Sequence, residues 1–374
     1  MIVIVDPARA GPEGGDRPAR LARKQAAGVG PDRRLHRAGQ KVLRRTLRSL
    51  RDAAKEADAT TSARPLVVHQ LRVTTRRLDA ALGLFEPCLP KRSLRRLKRL
   101  SRSLRRGAGR VRRYDVMLDM LGELGIDSPS AEQVAIRSLM DELRAERVVA
   151  RRDLARLLSK SKALKRLASG SERLAETRKA RGPLLLPGGT VAGEARRMAD
   201  AAAILLPEWA AMFESTRLAE HPCIEDLHTL RLFGKRVRYT LEILGGSVEP
   251  AAFGAAYAQM EQLQERLGVL NDHCELVELL RETARSTGET SGNGDASAPH
   301  PLTELADIEA NRCIDLQHQF VAWWRGAGGE TLVRLLLAAA PSKDFEAVDA
   351  GAVEDAPQPE PPVVQTVSRR GVSC

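Results

Sequence analysis

Apolar and basic positions alternate along this chain at helical spacing. Over residues 33–57, Val42, Leu43, Leu47 and Leu50 mark one face, while Arg37, Lys41, Arg44, Arg48 and Arg51 follow steps of four and three on the other. Ser62 to Pro65 then reads as a turn into a second helix, which Pro87 to Pro90 end. In that helix Leu71, Leu78, Leu82 and Phe85 form an apolar back, and His69, Arg72 and Arg76 a basic front. Residues 91–113 hold twelve Lys or Arg and no acid. There Arg95, Arg99, Arg102 and Arg106 line up opposite Leu97, Leu100 and Leu104, and Gly107 and Gly109 predict the helix end. The same reading predicts helices at residues 115–124, 131–158 and 161–179.

Residues 181–189, RGPLLLPGG, read as a linker, after which the plan returns. His228, Arg231 and Lys235 take the places of His69, Arg72 and Arg76, with Leu230, Val237, Leu241 and Leu244 behind them. At the same offset, Gly268 to Asn271 answers Gly109 to Arg112. Two matches at one offset predict two related halves. Helices are expected at 191–216, 227–244, 251–267, 269–287, 302–324 and 330–339, with a polar loop at 287–298. The expected architecture is all-α: two pseudo-symmetric antiparallel helical bundles at 33–180 and 190–340. A Gly/Pro-rich arm at 1–32 and an acidic, Pro-rich tail at 341–374 lack apolar periodicity and read as disordered.

Charge changes the picture from a helical protein to one with a polyanionic partner. The net charge is +12 and the pI near 9.9, and the cations are clustered rather than scattered. Like charges in rows at helical spacing repel by a few tenths of a kcal/mol per pair, roughly, and a bound polyanion relieves that repulsion. Five cysteines without a CxxC point to a reducing cytoplasm rather than a disulfide framework. MIVIVD has neither a basic lead nor a cleavage site, so no signal peptide is expected. No apolar run approaches the roughly 18 residues of a spanning helix, so no membrane insertion is expected.

The pattern HxxRxxxRR at His69, Arg72, Arg76 and Arg77, with HxxRxxxKRxRYxxE from His228 to Glu242, resembles the CHAD (conserved histidine α-helical domain) family. LQxxLGxxND, from Leu263 to Asp272, supports it, and the resemblance covers roughly residues 33–338. It implies two helical bundles related by pseudo-symmetry and a basic surface that binds inorganic polyphosphate. The candidate ligand set is His69, Arg72, Arg76, Arg77, Arg95, Arg99, Arg102, Arg106 and Arg112 in the first half. His228, Arg231, Lys235 and Arg238 follow in the second, with Arg37, Lys41 and Arg44 on the first helix.

Three readings of His69 and His228 stand at this level: N–H donors to phosphate, structural residues bonded near a helix start, or catalysts lacking a repeated partner. Tyr239 and Glu242 either orient Lys235 and Arg238 or pack and pair at helical spacing. The halves also differ. Asp79 and Ala80 stand where Arg238 and Tyr239 would be, and Arg113 answers Asp272. Gly254, Ala258, Glu261 and Glu265 occupy the places of Arg95, Arg99, Arg102 and Arg106, which predicts a surface lopsided towards the first half.

No P-loop, GxSxG elbow or ExExK signature is present, and neither His221/Cys223/His228 nor Asp272/His273/Cys274 has paired zinc-ligand spacing. The expectation is a non-enzymatic polyphosphate binder without metal or cofactor, cytoplasmic and on polyphosphate granules. Nucleic acid is a competing polyanion, which leaves a backbone-directed nucleic-acid binder as an alternative. An accessory subunit of a polyphosphate- or nucleotide-handling enzyme is another, with the acidic tail as a surface for a protein partner.

Overall fold

The first amphipathic stretch folds as α1, Leu35–Ala59, with Leu43, Leu47 and Leu50 at most 1% exposed. In the computed structural model, residues 29–59, 65–124, 130–160, 182–186, 190–216, 218–290 and 300–341 are described. Most of the expected arm, nearly all of the tail, the helix at 161–179 and residues 291–298 of the polar loop lie outside these residues, whereas 287–290, expected in that loop, are helical. Residues 29–32, which the sequence groups with the arm, are docked instead. Val29 is buried, and its carbonyl accepts a 2.9 Å hydrogen bond from the Ser247 hydroxyl.

α2, Pro65–Leu84, buries Leu71, Leu78 and Leu82. Gly39 of α1 lets Phe85 close in, since a Cβ there would meet its ring at 3.0 Å. The third helix departs from expectation. Gly107 and Gly109 do not end it, and α3 runs unbroken over Lys91–Glu123. Leu104, Ala108 and Val111 carry the buried stripe straight through the glycines. Gly107 instead gives α4, Ala131–Lys160, room to pack, since a Cβ there would crowd Leu154 and Leu157 at 3.2 and 3.3 Å.

The expected linker is not bare. Leu184–Leu185 (β1) pairs antiparallel with Val191–Gly193 (β2), and Leu184 and Leu186 are buried. The helix expected from 191 therefore starts later, as α5, Met198–Glu214, where the Asp200 carboxylate accepts from the Arg196 and Arg197 backbone N–H groups. α6, Ile224–Leu244, carries the second histidine motif. The helices expected at 251–267 and 269–287 are one, α7, Pro250–Thr290. A Gly inside a helix costs about 1 kcal/mol, and Leu263, Leu267 and Leu270, buried on both sides of Gly268, outweigh it. α8, Pro301–Trp323, passes through a π-helical turn, Trp324–Gly328, into α9, Gly329–Ala339.

The fold is thus all-α with one small hairpin. One hydrophobic cluster extends from Leu43, Leu71 and Leu82 to Leu241, Tyr257 and Leu336. A second joins Met117 and Leu121 of α3 and Ile136 of α4 to Leu276 of α7 and Leu302 of α8. α3 packs on α2, α7 on α6, and α2 on α6. This arrangement brings the basic fronts of α2, α3 and α6 towards one another. Among the described residues, no helix is long and apolar enough to cross a membrane.

Candidate functional site

Six basic side chains meet where α2, α3 and α6 converge. α2 supplies His69, Arg72 and Arg76, α3 supplies Arg112, and α6 supplies Arg231 and Lys235. Their apolar backs are buried in the shared core, so the basic fronts have only one side left to occupy. Burial, and then the charges of Arg76, Arg231 and Arg72, push the Lys235 amine down to about 6. Burial, with Arg76 and Arg231 next, pushes Arg72 down to about 10. His69 stands at the rim, where partial burial and the charges of Arg112, Arg72 and Arg76 hold its imidazole below the ordinary 6.5. Among the described residues, Arg72, Arg76, Arg112 and Lys235 have no carboxylate in ion-pairing contact. The fold holds the cluster together against its own repulsion.

α7 tempers one side of it. Arg231 donates to the side-chain Oδ1 of Asn271 at 3.2 Å and lies 3.8 Å from Asp272. The Asn271 amide in turn donates to Glu275 at 2.8 Å, and Arg113 lies 3.6 Å from Glu275. The Arg231 Nε is buried with no partner among the described residues. Gly109 has a specific duty here. A Cβ at that position would come within 2.8 Å of the Arg72 guanidinium, so the missing side chain is the space that Arg72 occupies. Gly268, its sequence counterpart, meets nothing within 4 Å.

Arg77 and Arg238 are of the same residue type but turn to internal partners. Arg77 donates to Glu242 at 2.8 Å across the α2–α6 contact. Tyr257 donates to the other Glu242 oxygen at 2.7 Å, and Arg238 donates to the Tyr257 hydroxyl at 2.7 Å and to Gln264 at 3.0 Å. Tyr239 lies under the Arg238 guanidinium at 4.5 Å, a cation–π contact. Both readings of Tyr239 and Glu242 are therefore answered: Glu242 ties three helices together and Tyr239 packs. Tyr257 escaped the sequence reading, although a buried tyrosine hydroxyl usually needs a partner.

Beside the cluster, a groove of about 670 Å³ is lined by Arg76, Lys98, Arg102, Arg105, Lys235 and Arg236. Lys98 pairs with Glu86 at 2.6 Å, and Arg105 with Asp79. Arg105 was missed in the sequence because its partner sits on another helix. Arg95 and Arg99, with Lys98 and Arg102, frame a shallower hollow of about 440 Å³ on the outside of α3, and Arg106 is exposed beyond it. Arg37, Lys41 and Arg44 lie along α1 and join neither cluster nor groove, and His228 is exposed near the start of α6. Of the rows expected from the sequence, the structure gathers the α2 set with Arg102 and Arg112, together with Arg231 and Lys235. Among the described residues, no group of three His, Cys, Asp or Glu could hold a metal ion.

A CHAD domain family model matches residues 41–281. The crystal structure of the CHAD domain from the plant Ricinus communis is similar, with a TM-score of 0.58 at 20% identity, over 84% of this chain and 96% of that one. PptA from Streptomyces chartreusis is matched with a TM-score of 0.48 at 14% identity, over 82% of this chain and 100% of that one. No curated protein sequence matches.

Proposed function

Because the chain belongs to the CHAD family, whose domain model spans residues 41–281, we propose that its convergent cations bind inorganic polyphosphate and perform no chemistry on it. The observation that carries this reading is the self-repelling cluster, in which Lys235 is driven to about 6 and Arg72 to about 10. An incoming phosphate chain offers those groups the counter-charge that Asp272 and Glu275 supply only in part. Arg72 and Arg76, like Arg231 and Lys235, are one helical turn apart, so their contacts recur every 5–6 Å or so. A flexible phosphate chain can meet that interval from either helix, and the arginines present two parallel N–H donors to its oxygens.

Binding then restores the proton on Lys235 and raises the His69 pKa, because both imidazolium and ammonium gain an anionic neighbour. Bound counterions leave as the phosphates enter, so affinity falls with salt. The reading places the protein in the cytoplasm on polyphosphate granules, holding or localising the polymer.

The test is competition at about 0.15 M salt, where exposed charges are screened beyond roughly 8 Å. Labelled long-chain polyphosphate is displaced by duplex DNA, RNA or heparin at equal charge concentration. Resistance to all three supports the proposal. Equal displacement by DNA or RNA would replace it with general backbone binding.

A further inference from the structure

The groove beside the cluster has two unlike walls. One carries Arg76, Arg102 and Lys235 together with the Lys98–Glu86 and Arg105–Asp79 pairs, a net positive wall, and the other is formed by Leu185, Leu186, Leu205, Trp209 and Leu232. An inorganic phosphate chain uses the first wall only. Against the second, its oxygens would lose water and find no donors, at a cost of a few kcal/mol for each buried polar group, roughly. The volume of about 670 Å³ lies within the range of about 300–1,000 Å³ typical of small-molecule pockets.

The apolar wall is built rather than incidental. Leu186, Leu205 and Trp209 are each less than 10% exposed, packed from behind by the core, so their surfaces towards the groove are held in place. The pairing of β1 with β2 brings Leu185 and Leu186 here. Leu232 completes the rim from α6 and is 52% exposed, an uncommon place for leucine on an otherwise polar front.

From this juxtaposition we propose that the groove is a second binding site, for an organic phosphate: a small molecule with a di- or triphosphate group seated on the arginines and an aromatic or aliphatic body against Trp209 and the leucines. The proposal rests on the anion affinity proposed above in one respect, since Arg76 and Lys235 serve both sites. It goes beyond that reading in the body it requires.

The test compares each ester with the inorganic anion of equal phosphorus count. ATP is set against tripolyphosphate, and geranyl diphosphate against pyrophosphate, by calorimetric titration of the full chain without divalent cations. The expected result is that one ester binds about tenfold or more tightly than its inorganic counterpart, as burial of a leucine-sized surface provides. An ATP preference assigns an aromatic body, and a geranyl diphosphate preference an aliphatic one. Leu232→Ser and Leu185→Ser, at exposed positions where folding is not at risk, should each reduce the preference while leaving inorganic binding unchanged. Esters that bind no better than the inorganic anions overturn the organic-phosphate site alone. So does a preference untouched by both substitutions. Failure of every probe and of long-chain polyphosphate overturns the polyphosphate reading as well.

Discussion

Replacing Lys235 with methionine should stabilise the ligand-free protein while weakening its hold on polyanions. In the unfolded chain this amine has its ordinary 10.5, whereas in the fold, burial and the charges of Arg76, Arg231 and Arg72, opposed only by Asp272, bring it to about 6. Between those values the unfolded chain holds a proton that the native state has released. Native stability therefore falls as pH drops through that window, and the penalty is complete below about 6. At about 1.4 kcal/mol per pH unit, the upper limit at pH 7 is on the order of 5 kcal/mol. Water entry and relaxation at a partly open site reduce this, and methionine keeps the aliphatic stem in place. The expected gain is about 2 kcal/mol, which raises Tm by about 3 °C in a chain of this size. Thermal melts at pH 6, 7 and 9.5 without ligand provide the assay. The gap between variant and wild type should be widest at pH 6 and narrow at 9.5. A variant that melts at or below wild type at pH 7 would refute the reasoning.

Other outcomes follow from the same geometry. Polyphosphate affinity should rise as pH falls from about 9 to 6, by up to about tenfold per pH unit while Lys235 takes up its proton, and Lys235→Met should flatten that profile in titrations. His69→Gln should remove a separate, shallower gain in the mildly acidic range, and an unchanged profile would leave His69 without a part in binding. Gly109→Ala should favour the α3 helix by up to about 1 kcal/mol and yet weaken binding, because the new methyl displaces the Arg72 guanidinium. Improved stability with unchanged affinity would detach Arg72 from the site. Glu242→Gln should cost about 3 kcal/mol in chemical denaturation by leaving Arg77 and Arg238 underpaired at a nearly buried position.

The helices were legible wherever a buried stripe and a polar face alternate, as in α1, α2 and α6. Their ends were less so. Gly107 and Gly268 read as breaks because a glycine's local preference is visible in sequence, whereas the leucines of α4 packed on Gly107 are not. The β1–β2 hairpin hid for a similar reason. Strands of two and three residues have no period to read, and the flanking prolines and glycines suggested a linker. At the site, the repeated motif identified Arg72, Arg76, Arg231 and Lys235, since a residue's face on its own helix is fixed by spacing. It could not separate Arg76 from Arg77. Neighbouring positions differ by about 100° on a helix, and what Arg77 meets there, Glu242, comes from another part of the chain. The lopsidedness expected from the α3 row also looks different in three dimensions: Arg95 and Arg99 face outwards, while Arg231 and Lys235 sit at the centre.

The central claim is that polyphosphate binds the converging cations of α2 and α6 rather than basic surface at large. The most direct measurement is an anisotropy titration of labelled long-chain polyphosphate at about 0.15 M salt against two variants that each lack three basic side chains. One carries Arg72→Gln, Arg231→Gln and Lys235→Gln, and the other carries Arg95→Gln, Arg99→Gln and Arg44→Gln. With each charge-assisted hydrogen bond to phosphate contributing about 1 kcal/mol or more, the first should bind roughly a hundredfold more weakly and the second less than about tenfold. Equal weakening in the two variants, or a larger effect in the second, would contradict the account.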